Sequence, residues 1–553
     1  MKVRSNPNIA AALTLMAEQQ PETTAIYFPK GRAPDGTWRY EETSYAELDR
    51  ESTLIAAGLH RVGITPGTRA VLMVKPSMEF FALTFALFKA AVVPVMVDPG
   101  MGIKNLKTCL AEAEPEAFIG IPKAHIARLV LRWGSATIEH TVTVGRRLFW
   151  GGHTLEQLKK LGAEGEFQAP GVSSEDMAAI LFTSGSTGVP KGAVYSHGNF
   201  SAQVDLIQKT YSIQPGEVDL PTFPLFALFD PALGMSTVIP EMDFANPGTV
   251  NPRNLVEPVN QFGITNMFGS PAVMDKLGRY GEANQVKLES LKRVISAGAP
   301  VPWKTLERVT RMLSEEAEIF TPYGATESLP VASIGSKEIL GQTSAKTDQG
   351  AGVCVGRPVE GVEVKVIEID EAPIESWSDD LEVEAGVIGE FVVKGPQVTR
   401  QYFNRDGATA SAKIKDGEVV RHRMGDLGYF DEEGRMWFCG RKSHRVVIDE
   451  ETTMYTIPCE GVFNTHEKVF RTALVGVKRA GVVRPVLCVE LEKEFSGTSR
   501  QELLEELKEI GKGFEHTGSI ETFLIHDGFP VDIRHNSKIF REQLREWAGE
   551  QLR

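Results

Sequence analysis

Cysteine is scarce in this sequence, and its spacing does not suggest a structural role. The 553 residues contain five cysteines, an odd number, and no two of them have CxxC spacing. Neither a disulfide framework nor a zinc site is therefore indicated. A chain whose thiols stay reduced fits the cytoplasm, which is the location we expect. The five are Cys109, Cys354, Cys439, Cys459 and Cys488.

Basic charge is in deficit. The sequence has 59 lysines and arginines against 73 aspartates and glutamates, which gives a formal net charge of −14. A surface that binds duplex nucleic acid normally shows a basic surplus or a basic stripe. Nucleic acid is therefore not an expected partner.

A long, uninterrupted hydrophobic run is also missing. The best candidate, residues 80–97 (FFALTFALFKAAVVPVMV), has Lys89 at its middle and Pro94 near its end. These two residues favour a buried helix followed by a buried strand over a membrane span. The first residues have no adequate apolar run before a small-residue cleavage site, so they predict an amphipathic helix rather than a signal peptide. No transmembrane segment is expected.

What is present is the composition and patterning of a layered α/β protein with more than one domain. Residues 40–330 alternate helical and strand-like patterns, which predicts a large domain with mainly parallel sheets. From about residue 360 an alternation of period two predicts an antiparallel β region. The acidic stretch at residues 368–384 is interpreted as a solvated surface insertion.

The pattern changes again after residue 440, where strand-like segments flank one helical segment. About 110 residues suffice for a small α+β domain with its own core. We therefore predict an N-terminal domain at residues 1–440, a small mobile C-terminal domain at residues 441–553, and a hinge near residues 440–445.

The most informative segment is LFTSGSTGVPKG at residues 181–192, which follows a strand-like run. It lacks the spacing of a Walker loop, because Lys191 follows a proline and precedes a glycine. Backbone N–H groups and hydroxyls in such a loop can still surround a phosphate, with the lysine adding positive charge. The alternative is a flexible surface loop. The candidate binding residues are Thr183, Ser184, Gly185, Ser186, Thr187, Gly188 and Lys191.

The extended segment TSGSTGVPKGAVYSHGN at residues 183–199 closely resembles the signature loop of the adenylate-forming (ANL) superfamily. That superfamily includes acyl-CoA synthetases, peptide-synthetase adenylation domains and luciferases. Further segments recur in the superfamily's order, so the resemblance covers nearly the whole chain and implies the ANL fold. They are TSYAEL (43–48), LFKAAVVPVMVDP (87–99), SAGAP (296–300), YGATES (323–328), GDLGYFDEEG (425–434), GR (440–441) and SKIFR (537–541).

The resemblance implies a role for each matching residue of the nucleotide site. Thr326 would bond an α-phosphate oxygen, and Glu327 would bind Mg²⁺, which favours carboxylate and phosphate oxygens. Taken alone, YGATES could equally be a surface turn. The residues expected beside the adenine are Gly298, Ala299, Pro300, Tyr323 and Gly324.

Three further positions complete the implied site. Asp426 would accept hydrogen bonds from the two ribose hydroxyls, and Arg441 would support the sugar or a phosphate. The alternative for Asp426 is a turn cap. Lys538 would close over the site and offset charge between the carboxylate and the α-phosphate. The superfamily has glycine where Ser537 stands, so an ordinary lysine at a helix start remains the alternative.

The acyl-pocket motif of the superfamily corresponds to FPLFALFDPALG at residues 223–234. Many members carry histidine where this chain has Ala227. The aromatic side chains suit a long acyl chain, although phenylalanines in a large domain can equally be core residues. The candidate pocket residues are Phe223, Phe226, Ala227 and Phe229.

The hinge segment departs from that of acyl-CoA synthetases. Thr453 stands where those enzymes place the glycine of the loop that shapes a pantetheine tunnel, and Ser443 stands at their charged hinge position. Transfer to a thiol is therefore in doubt. Another nucleophile must then release AMP, and a hydroxyl on the β-carbon of the substrate is tethered in attack geometry.

The segments IRHNSKIFRE (533–542) and FPLFALFDPA (223–232) are similar to the β-lactone synthetase branch, which acts in bacterial long-chain olefin biosynthesis. The resemblance implies ATP- and Mg²⁺-dependent adenylation of a long-chain 2-alkyl-3-hydroxy acid. Attack by the 3-hydroxyl would then give a β-lactone, and other enzymes of the olefin pathway would be partners. Two alternatives stay open, a medium- or long-chain acyl-CoA synthetase and a non-catalytic acyl- or nucleotide-binding subunit. His197 is a conceivable base, and a structural histidine is its alternative.

Overall fold

The computed structural model describes residues 6–98, 101–183, 190–495, 500–532 and 538–553. Within these residues the strands form four sheets, of seven, fourteen, two and three strands. The two large sheets are mixed, with parallel strands at their centres, and helices cover them. The predicted α/β class, with an antiparallel region and a small C-terminal α+β part, is confirmed.

The strands are numbered along the chain. They are β1 (Thr24–Arg32), β2 (Trp38–Ser44), β3 (Arg69–Met73), β4 (Val93–Met96), β5 (Ala117–Gly120), β6 (His140–Thr143), β7 (His153–Thr154), β8 (Met177–Phe182), β9 (Gly192–Ser196), β10 (Val218–Pro221), β11 (Ser236–Val238), β12 (Asn266–Phe268), β13 (Arg293–Ile295), β14 (Glu318–Ala325), β15 (Ser328–Gly335), β16 (Val353–Pro358), β17 (Glu363–Ile367), β18 (Gly389–Lys394), β19 (Lys413–Asp416), β20 (Val419–Phe430), β21 (Met436–Arg441), β22 (Val446–Val447), β23 (Thr453–Met454), β24 (Val469–Arg479), β25 (Val482–Leu491) and β26 (Thr522–Ile525).

The α-helices follow the same numbering. They are α1 (Ala10–Gln19), α2 (Tyr45–Arg61), α3 (Met78–Lys89), α4 (Ile103–Ala113), α5 (Pro122–Leu131), α6 (Leu155–Gly162), α7 (His197–Tyr211), α8 (Asp230–Leu233), α9 (Arg253–Phe262), α10 (Pro271–Asn284), α11 (Trp303–Thr310), α12 (Ser336–Glu338), α13 (Ser344–Asp348), α14 (Asp406–Ala412), α15 (Thr456–Phe463), α16 (Arg500–Lys512) and α17 (Arg541–Gln551).

The hydrophobic run at residues 80–97 forms most of the buried helix α3 and then β4, as the sequence predicts. Lys89 enters the core because its Nζ lies 2.6 Å from a carboxylate oxygen of Asp49 and donates to Thr53 Oγ1 at 2.8 Å. A buried ammonium is tolerated when it is paired in this way. Among the described helices, none has the length and apolar character needed to cross a bilayer.

The seven-stranded sheet has the order β7-β6-β5-β3-β4-β8-β9. Its strands are parallel except for the last pair, in which β8 and β9 run antiparallel. The connection between β8 and β9 is the glycine- and hydroxyl-rich segment. The pairing of β8 with β9 therefore holds the two described ends of that segment side by side.

The fourteen-stranded sheet combines a parallel centre with an antiparallel flank. Strands β11, β10, β12, β13 and β14 are parallel neighbours. Beyond β14 the sheet continues with antiparallel neighbours in the order β15, β16, β21, β20, β18 and β17. Because the carboxyl ends of parallel strands meet at one edge, the segments that follow β10, β12 and β13 converge there with the end of β14.

The C-terminal part has its own sheet, in the order β24-β25-β26, packed against helices. Arg541 at the start of α17 donates to Glu460 Oε2 of α15 at 2.8 Å inside this part. Strand β21, which ends at Arg441, is the last strand of the large sheet, and the later described strands belong to the small sheets. This supports the boundary at residues 440/441, which stays a prediction.

Candidate active site

The carboxyl edge of the parallel strands brings three of the predicted segments together. Residues 223–229 follow β10, residues 296–300 follow β13, and residues 323–325 end β14. Gly298 has φ +99°, a backbone conformation open to glycine. At Gly324 a Cβ would lie 2.7 Å from the Ser328 carbonyl oxygen. A side chain at either position would therefore disturb the backbone at this edge of the sheet.

The signature segment joins β8 to β9, and its two ends are described. Thr183 N donates to Lys191 O at 3.0 Å, which closes the base of the hairpin. Lys191 Nζ lies 5.1 Å from the centroid of the Tyr402 ring. Five predicted residues lie outside the described residues: Ser184, Gly185, Ser186, Thr187 and Gly188.

Asp426, Tyr323 and Arg441 form one buried cluster. Tyr323 OH donates to Asp426 Oδ2 at 2.7 Å, and Arg441 Nε lies 3.1 Å from Oδ1. Despite that ion pair, Oδ1 is buried and accepts no hydrogen bond within the described part of the chain. Burial raises the pKa of Asp426, and Arg441, Tyr323 and Lys538 oppose the rise. The carboxylate therefore keeps one acceptor available for a hydroxyl.

Lys538, of the C-terminal part, acts on this cluster through its charge. Asp532 N donates to Lys538 O at 2.9 Å, and Val531 and Ile539 form an antiparallel bridge beside them. The ammonium of Lys538 is close enough to Asp426 to lower the pKa of that carboxyl. The predicted lysine of the C-terminal part therefore acts electrostatically on the predicted ribose site.

Glu327, in the turn between β14 and β15, accepts hydrogen bonds from Tyr402 and from the loop residue Thr399. Tyr402 OH donates to Glu327 Oε1 at 2.6 Å, and Thr399 N donates to Glu327 O at 2.9 Å. Tyr195 OH donates to the carbonyl of the adjacent Thr326. Among the described residues Glu327 Oε2 receives no hydrogen bond. A half-buried carboxylate oxygen of this kind suits a hard divalent cation that is shared with phosphate oxygens.

The sequence patterns did not indicate two buried basic residues, Lys413, whose Nζ lies 5.9 Å from the centroid of the Tyr402 ring, and its cross-strand partner His422. Lys413 Nζ donates to Thr399 Oγ1 at 3.2 Å, and burial lowers the pKa of Lys413 to about 7. His422 Nδ1 lies 3.2 Å from Ala412 O on the neighbouring turn of chain. Neither residue belongs to a spacing pattern that would have marked it, because both reach the site through the register of β19 and β20.

The aromatic segment after β10 divides between the edge and the core. The Phe226 ring packs against Phe223 at 5.2 Å and against Phe268, at the end of β12, at 4.4 Å. Ala227 is 3% exposed and belongs to the main hydrophobic core. The Phe229 ring packs 6.2 Å from Phe200, on α7. The structure therefore groups Phe223 and Phe226 and separates them from Ala227.

His197 begins α7 and is 2% exposed. Burial lowers its pKa to about 4, and its Nδ1 has no hydrogen-bond partner among the described residues. Its backbone N donates to Asp176 O at 3.1 Å. This packing supports a structural role over the role of a base.

Residues 13–403 match the family model described as AMP-binding enzyme. The chain belongs to the AMP-binding enzyme family. This AMP-binding enzyme is also 51% identical over 552 residues to an olefin beta-lactone synthetase of Xanthomonas campestris, with 98% of each chain covered. It is 50% identical to a protein of the same name from Stenotrophomonas maltophilia, with 99% of this chain and 98% of the other covered.

Solved structures share the fold of this AMP-binding enzyme. The amide bond synthetase McbA from Marinactinospora thermotolerans superposes with a TM-score of 0.77 at 20% identity, covering 98% of this chain and 99% of that one. The predicted membership of the adenylate-forming superfamily and its fold are confirmed.

Two positions that the sequence predicts to differ from acyl-CoA synthetases, Ser443 and Thr453, lie shortly after the last strand of the large sheet. Ser443 is the middle residue of a short 3-10 turn at residues 442–444, directly after β21. Thr453 pairs with Val447 in the two-stranded β22–β23 hairpin. Gly440, by contrast, has φ +125° beside the Thr456 side chain. The chain thus keeps glycine at the end of the large sheet and a β-branched residue in the hinge hairpin.

Proposed function

We propose that this enzyme uses ATP to adenylate a long-chain 2-alkyl-3-hydroxy acid and then closes the acyl-adenylate to a β-lactone, releasing pyrophosphate and AMP. The observation that carries the proposal is the near half-identity, over essentially the whole chain, to two proteins named olefin beta-lactone synthetase. Asp426, Glu327 and Lys538 would supply the chemistry that adenylation needs.

The nucleotide is proposed to lie along the carboxyl edge of the parallel strands. Asp426 is suited to the ribose because its buried Oδ1 has spare acceptor capacity. Gly298, Ala299 and Pro300 would flank the adenine, with Tyr323 oriented by Asp426. Arg441, already paired with Asp426, would face the sugar or the phosphate.

The charge that develops during adenylation is proposed to be balanced by Lys191 and Lys538, which approach from opposite parts of the chain. A carboxylate and a triphosphate repel each other, and fixed cations at the point of attack lower that barrier. Thr326 would hold the α-phosphate, and Glu327 would bind Mg²⁺ through its Oε2. When bound, Mg²⁺ supplies neutralisation of phosphate charge.

Lactone closure needs no second substrate. The 3-hydroxyl is part of the acyl group, so its attack is intramolecular, and effective molarities for well-oriented cases reach about 10⁵ M or more. The site must exclude water, since hydrolysis would waste the adenylate. The electrostatic effect of Lys538 on Asp426 supports a C-terminal part that covers the site.

The acyl chain is proposed to enter beside Phe223 and Phe226. Their rings and Phe268 form an aromatic group at the same edge as the nucleotide segments. Apolar walls with few polar groups are typical of sites for long acyl chains. The reaction is proposed to take place in the cytoplasm, which agrees with the five free, buried thiols. Other enzymes of the olefin pathway are proposed as partners.

The test is a product assay with purified enzyme, ATP, Mg²⁺ and a 2-alkyl-3-hydroxy acid, with and without CoA. We expect β-lactone, AMP and pyrophosphate in both arms. The matched control is the same acid without its 3-hydroxyl, which should support pyrophosphate exchange and give no lactone. Acyl-CoA as the only new product, formed only when CoA is present, would instead establish a thioester-forming ligase.

A further inference from the structure

We infer that His422 is the general base that accepts the proton of the substrate's 3-hydroxyl during lactone closure. This inference rests on the proposed function and assigns a step to a residue outside the adenylation motifs. His422 lies on β20, four residues before Asp426. It is a buried titratable group that the adenylation step leaves unused.

The hydrogen bonding of His422 leaves one nitrogen available as an acceptor. Its Nδ1 lies 3.2 Å from the carbonyl oxygen of Ala412, and a carbonyl can only accept. Nδ1 therefore carries the proton of the neutral ring, and Nε2 carries the lone pair. Nε2 has no hydrogen-bond partner in the described ranges. A neutral imidazole with a fixed tautomer and a free lone pair is the form that a general base requires.

The register of β19 and β20 places His422 on the face of the sheet that also carries Lys413, its cross-strand partner. Lys413 Nζ lies 5.9 Å from the centroid of the Tyr402 ring, whose hydroxyl donates to the proposed cation ligand Glu327. The charges of Lys413, Lys191 and Arg441 all lower the pKa of His422. Val393 of β18 is its apolar neighbour on the other side. Lys191 and Arg441 are also the side chains proposed to contact the nucleotide. The acyl carbon is joined to the α-phosphate through one oxygen, so a base for the 3-hydroxyl must lie in this region.

Other titratable groups nearby are already committed. Glu327 accepts from Tyr402 and faces the proposed cation, and Asp426 accepts from Tyr323. Lys538 is needed as a cation. Lys413 is the competing candidate, but its Nζ already donates to Thr399 Oγ1 and lies 5.9 Å from the centroid of the Tyr402 ring. His422 is the neutral group with an open acceptor.

The step balances without any further reagent. The 3-hydroxyl oxygen forms a bond to the acyl carbon while the bond from that carbon to the phosphate oxygen breaks. The hydroxyl proton passes to Nε2 of His422, and AMP leaves with the electron pair of the broken bond. The imidazolium then returns the proton to the AMP phosphate or to water.

The charges around His422 make this base responsive to the bound adenylate. Burial and the cations Lys413, Lys191 and Arg441 lower the pKa of His422 well below its usual value. Phosphate bound to these cations offsets their field, which raises the basicity of the ring when the adenylate is present. The ring is therefore neutral before closure and a stronger base at the moment of closure.

The decisive experiment compares the two half-reactions in His422→Asn and His422→Gln. The asparagine amide can still donate to Ala412 O, and the glutamine amide fills the space of Nε2, but neither is a base. We expect lactone formation to fall by about 10²- to 10⁴-fold, the usual contribution of a general base. ATP–pyrophosphate exchange should fall far less, so that acyl-adenylate accumulates. Imidazole added to His422→Ala should restore part of the closure rate.

The matched control is His466→Gln, a histidine on the lid surface whose Nε2 lies 3.0 Å from Glu506 Oε2. It should leave both rates unchanged. If closure and exchange fall together in both His422 variants, or if neither falls, the inference is wrong. Loss of closure in Lys413→Met with normal closure in the His422 variants would assign the base to Lys413. A wild-type enzyme that makes no lactone would instead refute the proposed function.

Discussion

At the scale of single residues, two buried carboxyl groups make stability depend on pH. One lies on β10, and the other lies in the predicted acyl-pocket motif at residues 223–234. Asp219 and Asp230 are both buried, and Asp219 accepts from Asn266 while Asp230 accepts from Thr237. Burial raises the pKa of Asp219 to about 7, and burial together with Asp219 raises that of Asp230 well above its usual value. The protonated forms are therefore favoured by folding, and the charged forms oppose it.

We predict that Asp219→Asn raises the free energy of unfolding at pH 8 and leaves it nearly unchanged at pH 4. In the wild type, stability is full below the unfolded pKa, near 3.8, and is lost as the pH rises through about 7. Each pKa unit corresponds to about 1.4 kcal/mol, so the gain at pH 8 should reach a few kcal/mol. Urea unfolding at both pH values measures it. Equal effects at pH 4 and pH 8 would contradict the assignment.

A second residue-scale prediction concerns Tyr402, which orients the proposed Mg²⁺ ligand. Tyr402→Phe removes the hydroxyl that donates to Glu327 Oε1 and keeps the ring that Lys191 approaches. Loss of such an outer partner typically lowers metal affinity by 10- to 100-fold. We expect the Mg²⁺ concentration for half-maximal pyrophosphate exchange to rise by about that factor. Tyr429→Phe, whose hydroxyl donates to Ala351 O instead, should not change it.

At the scale of elements, the start of α17 is fixed by a buried ion pair inside the C-terminal part. The side chains of Arg541 and Glu460 are 11% and 6% exposed, and the arginine also donates to Leu474 O at 3.3 Å. Removing one partner of a buried pair leaves the other charge unbalanced, at a cost of about 3–5 kcal/mol. Arg541→Gln should therefore accelerate amide hydrogen exchange in α15 and α17. Arg545→Gln, on an exposed position of α17, is the control, and equal protection in both variants would argue against the pair.

Elements with a strong local pattern could be predicted, and those defined by pairing could not. The run at residues 80–97 fixed α3 and β4 because apolar length, Lys89 and Pro94 are all local signals. The acidic stretch at residues 368–384 is largely exposed, as expected. Its carbonyl at Ala372 nevertheless accepts from buried Arg423 at 2.7 Å, a contact that only tertiary packing creates.

The candidate site divides in the same way. Asp426, Glu327 and Lys538 lie in contiguous motifs, so their residue types and order were enough to find them. Tyr402 lies in a loop and His422 on β20. The direction in which the His422 side chain points depends on strand register and on the left-handed bend at Gly425 (φ +65°). No periodicity in the segment VVRHRMGDL distinguishes His422 from its neighbours.

At the scale of the whole molecule, several contacts hold the C-terminal part over the site. Arg279 of α10 lies 3.2 Å from Glu492, which follows β25. On the hinge side, Arg445 lies 2.9 Å from Glu371, and Lys442 Nζ donates to Asp370 O at 2.9 Å. The same arrangement keeps Lys538 beside Asp426. Since the proposed lactone closure admits no new molecule, we expect this orientation of the C-terminal part to serve both half-reactions without rotation.

This account predicts that an enzyme with a fixed lid still makes lactone. Arg279→Cys combined with Glu492→Cys provides two thiols for a bis-maleimide, since the five native cysteines are buried. The enzyme is loaded with acid and ATP, cross-linked, and started with Mg²⁺, so that one turnover is measured without substrate entry. We expect lactone and AMP in nearly the yield of the Arg279→Cys single variant treated in parallel. Acyl-adenylate and pyrophosphate without lactone would mean that the C-terminal part must rotate between the two steps. The cross-link blocks that rotation, and it does not change the chemistry of closure.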